Sequence, residues 1–221
     1  MARSPINPKL LKAGLFRVDR ESGAVRNIVP FQYNPESVSR SLTPRGASGE
    51  GQRTDALRLI GPPVETINLD VILEASDGLE GAEPGDTVAT QGLAPQLATL
   101  EMMIYPSVDA VQRTADLAAQ GLIEVLPEPE PLTLLAWSRN RITPVKITEF
   151  SVTEEAFDTH LNPIRLTISL GLRVMSIDDL GPASRGGGIF MSYFRRKSEL
   201  AGLISGGDLS AFGITQGDLE Q

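Results

Sequence analysis

The chain has 221 residues, a formal charge of -8, one histidine and no cysteine. The acidic balance argues against nucleic acid as a partner, since phosphate-backbone binding draws on clustered Lys and Arg, and the absence of thiols excludes disulfides, thiolate nucleophiles and thiolate metal sites. A 41% hydrophobic content is that of a folded chain with a real core, and no stretch approaches the roughly 20 apolar residues a membrane helix needs, so direct membrane insertion is not expected.

The opening "MARSPINPKLLKAGLF" has basic residues, but Lys12 and Gly14 interrupt any apolar run of signal-peptide length, so synthesis and assembly are expected in the cytoplasm. "AGLFRVDRESGAVRNIVPFQYNP" reads as a hairpin turning at Ser22-Gly23. In "FQYNPESVSRSL", Phe31 and Tyr33 are expected on one strand face, with Asn34-Pro35 opening a type I turn and Val38 to Leu42 starting the return. "ETINLDVILEA" is a further strand: Ile67, Leu69, Val71 and Leu73 face one way, Asn68, Asp70 and Glu74 the other, and Ile72 interrupts the polar row.

Long loops are expected at residues 43–63 and at 74–92, the second carrying Glu74, Asp77, Glu80, Glu83 and Asp86 without a Lys or Arg. Helical spacing begins with Leu97, Leu100, Met103 and Ile104 and continues through a stretch rich in Ala, Leu and Gln that closes near Gly121, giving a helical crossover at about 93–122. The prolines around Glu128 then force an extended connector into the strand "LTLLAWS". In "TPVKITEFSVTEEAFD" the apolar parity moves from Val145 and Ile147 to Phe150 and Val152, as one extra residue in a β-bulge would produce.

The strongest pattern is "IRLTISLGLRVMS", where Ile164, Leu166, Ile168, Leu170, Leu172 and Val174 alternate with Arg165, Thr167, Ser169, Gly171 and Arg173. Eleven such residues span roughly 37 Å, about twice the usual strand. The strand has one dry face and one wet face and is expected to form a hairpin with its predecessor, reversing at "DTHLNP". The fold class is therefore mainly β, an antiparallel barrel or sandwich with a helical crossover, over residues 1–180. Residues 181–221 read as an appendage: "GPASRGGG" as a flexible hinge and "IFMSYFRRKSELAGLI" as a C-terminal helical arm.

Chemistry is sparse. His160, the single imidazole, lies beside a turn, where a surface role is the simpler reading. Glu154-Glu155 and Asp178-Asp179 are carboxylate doublets, but adjacent strand residues point to opposite faces and do not pair as acids. No phosphate loop is present, and Gly186-Gly187-Gly188 lacks the strand-to-helix setting of a dinucleotide fingerprint. No catalytic residue, cofactor or metal is expected, and the chain is not expected to be an enzyme. The arm is richer: Phe190, Tyr193 and Phe194 adjoin Arg195, Arg196 and Lys197, the aromatic and arginine mixture enriched at protein interfaces.

"FQYNPESVSRS", and more than a hundred residues later "PLTLLAWSRNRITPVKITEFSVTEEAFDTHLNPIRLTISLGLRV", with Trp137, Phe157-Asp158 and Pro163-Ile164-Arg165 in order, resemble the tube-protein family of contractile injection systems, the phage-tail-like particles. The resemblance implies a tube-like β domain that assembles side by side into a homo-oligomeric ring, commonly a hexamer, with Arg165, Thr167, Ser169 and Arg173 as candidates to face the lumen. The family includes baseplate members that join the spike hub to the tube, and the C-terminal arm, an addition a repeating tube subunit usually lacks, turns the expectation to a baseplate tube initiator, with the hub, the tube and other baseplate proteins as partners and the finished particle as final location. The family's baseplate members often end in a LysM domain, whereas this chain ends in the aromatic-basic arm. Two alternatives are the main inner-tube subunit of such a particle and a carbohydrate-binding β-sandwich using Phe31, Tyr33 or Trp137 as stacking platforms.

Overall fold

The computed structural model of the chain describes residues 11–46, 58–75, 86–122, 129–204 and 209–219. Seven strands, β1 (Gly14–Val18), β2 (Val25–Pro30), β3 (Val38–Thr43), β4 (Val64–Glu74), β5 (Leu132–Ser138), β6 (Arg141–Phe157) and β7 (Pro163–Val174), form one sheet in the order β2-β1-β5-β6-β7-β4-β3. Every pairing is antiparallel. The mainly β expectation holds. Helices occupy the crossover, α1 (Thr87–Gln91), α2 (Ala94–Glu101) and α3 (Val108–Ala119), and the C-terminal part, α4 (Ile177–Leu180) and α5 (Arg185–Ala201).

Chain geometry shows that the sheet is rolled. Laid flat, seven strands at about 4.8 Å spacing would hold β2 and β3 roughly 29 Å apart, yet residues 31–37 alone join them, through several bends. The Phe31 N–H bonds the Ala13 carbonyl beside β1 at 2.8 Å, while the next residue, Gln32, bonds the backbone of Glu74 on β4. Two consecutive residues thus touch strands with three others between them in the sheet order. The rolled sheet encloses one main core, in which Leu15, Phe31, Ile67, Val71, Leu135, Val145, Leu166, Ile168 and Leu172 are almost wholly buried.

Alternation decides which residues enter that core. On β7, Leu166, Ile168, Leu170, Leu172 and Val174 are buried while Arg165, Thr167, Ser169 and Arg173 face outward. The β6–β7 pairing breaks register between Ile147 and Glu149, which places the parity-shifting bulge at Thr148. Without it Phe150 and Val152 would turn to the wet side.

Three expectations are corrected. Phe31 and Tyr33 do not share a strand face: β2 ends at Pro30, Phe31 is fully buried and Tyr33 is 41% exposed. Asn34 acts less as a turn starter than as a clasp, its Oδ1 accepting from the Ala13 N–H at 2.8 Å and its Nδ2 donating to the Leu11 carbonyl at 2.9 Å. "GPASRGGG" is no hinge: Ser184 caps α5 and the three glycines run in its first turns, Gly186 and Gly187 buried. A side chain at Gly187 would collide with the carbonyl of Gly181, so glycine serves close packing here, not mobility. The long loops at 43–63 and 74–92, and the proline connector, lie partly outside the described residues.

Candidate interaction surfaces

The C-terminal arm docks on its own domain. Phe190 and Tyr193 are each about 5% exposed and belong to the main core, which removes them from the set of free interface anchors. The cause is amphipathic spacing: Phe190 packs edge-on to Tyr193 and stacks with Phe194, the two centroid distances being 6.5 and 6.4 Å. Phe194, Arg195 and Arg196 stay exposed. Arg196 donates to the Asn140 side chain at 3.2 Å and pairs with Glu199 at 2.9 Å, whereas Arg195 makes no ion pair among the described residues.

The docking centres on Glu65 of β4, a carboxylate that is 4% exposed. The Tyr193 hydroxyl donates to it at 2.9 Å, Lys197 Nζ at 2.8 Å and Arg40 Nε at 2.9 Å, and Lys197 Nζ also lies 4.3 Å from the Tyr193 ring centroid. Burial pushes the Glu65 pKa up, but the hydrogen bond and charge of Lys197, the tyrosine hydroxyl and Arg40 outweigh it and hold the pKa below its ordinary value. Burial, with the neighbouring carboxylate, pushes the Tyr193 phenol up. A buried carboxylate needs such partners to stay charged. Glu65 was legible only as an anomaly: it has the parity of Ile67, Leu69, Val71 and Leu73, a charge heading an apolar row.

The outer face of β4, β7 and β6 is wet and cross-linked. Arg165 Nε lies 3.0 Å from Glu155 and 3.3 Å from Glu74, the Ser169 hydroxyl donates to Asp70 at 2.6 Å, Thr167 donates to Glu155 at 3.2 Å and Arg173 pairs with Asp179 at 2.6 Å. Asp179 also caps α4 as the third residue of a capping box on Ser176; burial raises its pKa, and the Ser176 N–H and Arg173 more than reverse that. Three of the four doublet carboxylates are therefore absorbed in structure, Asp178 being held by Arg45, while Glu154 is exposed. His160 is exposed at the β6–β7 turn, where Asp158 accepts from the backbone N–H groups of His160 and Asn162.

The two sheet ends differ. β2 is a blunted edge: its pairing with β1 slips where Asn27 takes a left-handed φ of 44°, and it ends in proline. β3 pairs with β4 for six residues without a slip, and no described strand covers its other side. Beside it Leu42, Leu59, Ile60 and Val64 are 36% to 73% exposed. Flat edges next to exposed apolar side chains are templates for another chain.

Stacking platforms for sugar are poorly served, because Phe31 is buried and Trp137 packs against the core. Among the described residues no group of three or more His, Asp or Glu could hold a metal ion, and no helix is long and apolar enough to cross a membrane. A cleft of about 1080 Å³ opens between the β1–β2 turn, the start of α3 and the start of α5, lined by Arg17, Arg20, Arg26 and Arg185.

No protein-family model and no curated protein matches the chain. Among solved structures, it is similar to a chain in the tail of an empty gene transfer agent particle refined with C6 symmetry, at 11% identity and a TM-score of 0.27. It is also similar to a chain in the virion of a native gene transfer agent particle, at 10% identity and a TM-score of 0.25. Each match covers 73% of this chain and 90% of the other. Identities this low and superpositions this loose carry no argument about its fold or its role.

Proposed function

We propose that the chain is a non-enzymatic structural subunit of a phage-tail-like injection particle, assembling side by side into a ring that joins the spike hub to the inner tube. The observation that carries this reading is the pair of unlike surfaces on one rolled sheet: a regular β3 edge that no second described strand covers, flanked by exposed apolar residues, and a long outer face of polar residues and ion pairs. An edge of that kind calls for a neighbour. The β4-β7-β6 face suits a lumen, because Arg165 and Arg173 are already matched by carboxylates and are not left free to hold acidic cargo.

The ring is made in the cytoplasm and leaves with the particle. An adaptor occupies one layer and a tube subunit recurs in every layer, so copy number in purified particles separates the two roles. Electron microscopy of the purified protein tests the ring: closed rings with a central channel are expected, and a monodisperse monomer at high concentration defeats the reading.

A further inference from the structure

We propose that the segment after α5, residues 202–219, docks into the arginine-lined cleft of a second copy of this chain. The inference rests on the ring reading and names the contact that would close it. Once α5 is seen to dock on its own sheet, the segment beyond it is left with exposed apolar side chains among the described residues: Leu203 is 78% exposed, Ile204 81%, Phe212 77% and Leu219 59%. Two short 3-10 turns, Leu209–Phe212 and Gln216–Leu219, present the last two, and the second is fixed by Asp218 accepting from the Thr215 N–H at 2.7 Å and hydroxyl at 2.8 Å. The segment carries Asp208 and Asp218, with Glu220 just beyond it, and no Lys or Arg follows Lys197. It is a short acidic and apolar ligand.

The cleft is its complement in a chain whose overall charge is -8. Its four arginines outnumber its three carboxylates by one: Asp19 is engaged by the Ser22 and Glu21 backbone N–H groups and by Arg26, Glu130 stands 3.9 Å from Arg17, and Glu21 is exposed. Arg20 is exposed, Arg185 spends one nitrogen on the Glu21 carbonyl at 3.1 Å, and the Arg17 Nε is buried without a hydrogen-bond partner among the described residues. Tyr105 and Met102, 59% and 41% exposed, supply apolar wall. Arginine clusters beside apolar surface are a general way of seizing acidic peptide segments.

Position favours the neighbour over a self-contact. Arg185 of the cleft begins α5 and the segment leaves from its far end, 17 residues later, so about 25 Å of rigid helix separates plug from socket. Complementary patches at opposite ends of one body make head-to-tail contacts, which close into rings.

The test uses full-length chains. In a Phe212→Asp/Leu219→Asp variant the chain's own segment is disabled, and a labelled peptide of residues 206–221 is titrated into it by fluorescence anisotropy. Saturable binding that weakens with salt is expected, and adding Arg20→Glu/Arg185→Glu to the same chain weakens it at least about tenfold. Absence of binding, or equal binding to both proteins with matching thermal unfolding, overturns the proposal. Mixing the cleft variant with the segment variant leaves one sound junction, and a heterodimer is expected by native mass spectrometry. Peptide binding without that heterodimer overturns the second copy as occupant. Wild-type rings that survive both sets of substitutions refute the segment contact and spare the ring, while a monomeric wild type that still binds peptide refutes the ring and spares the segment's affinity for the cleft.

Discussion

Gln32 grips both backbone groups of Glu74: its Nε2 donates to the carbonyl at 2.8 Å and its Oε1 accepts from the N–H at 2.9 Å. A side-chain amide here takes the place of a strand residue on the free margin of β4 beyond β3. Gln32→Ala leaves a part-buried donor and acceptor without partners, at a cost of about 1–3 kcal/mol for each group that water cannot reach. Urea unfolding is expected to show the loss, and hydrogen exchange at the Glu74 amide to show it locally. Gln32→Glu keeps an acceptor for the N–H but sets a carboxylate against a carbonyl, so it is expected to be no better than alanine.

That clasp also marks what the sequence could and could not disclose. Strands with a period of two were readable because a rolled sheet over a dry core imposes it along β4 and β7, and even the bulge at Thr148 was written in the parity change between Ile147 and Phe150. Gln32 and Asn34 were not readable, because a polar side chain bonding a backbone far along the chain leaves no periodic trace. The arm misled for a related reason. Phe190 and Tyr193 beside basic residues look alike whether their partner is another molecule or the chain's own Glu65, and only the docked helix distinguishes them.

Glu65 ties α5 to the sheet, and its titration sets a pH dependence. Its folded pKa is held below the ordinary value by Lys197, Tyr193 and Arg40 against the pull of burial. A depressed carboxylate contributes stability that is present above its unfolded value and lost as pH falls through the folded one. The α5 contact is therefore expected to weaken only below the ordinary glutamate range, read by near-ultraviolet circular dichroism of Tyr193. Glu65→Gln removes that acid dependence and strands Lys197 and Arg40, with a loss of a few kcal/mol at neutral pH, about 3–5 being usual when one partner of a buried pair is removed.

Neighbouring glycines in α5 separate contact from propensity. A Cβ at Gly187 would strike the Gly181 carbonyl, whereas one at Gly188 meets nothing within 4 Å. Gly187→Ala is expected to push α5 off its seat and lower the melting temperature. Gly188→Ala is expected to raise it, by about 0.5–1 kcal/mol of helix stability. Equal effects at the two sites would show that α5 is not packed as described.

β7 offers the last contrast, between a face that folds the protein and one that faces outward. Ile168 is fully buried and its truncation to alanine removes side-chain volume from a closed core, at about 2–5 kcal/mol. Thr167, one residue earlier, is partly exposed and its hydroxyl only donates to Glu155, so Thr167→Ala is expected to change stability by less than about 1 kcal/mol in an unfolding titration. The same exposure allows a large residue there without disturbing the core. Thr167→Trp is accordingly expected to fold and form rings of normal symmetry, but with a visibly narrowed channel in averaged micrographs, because every subunit would place an indole at the same height. A channel of unchanged width beside a normally folded subunit would put the β4-β7-β6 face on the outside of the ring and leave the lumen to be lined by other residues.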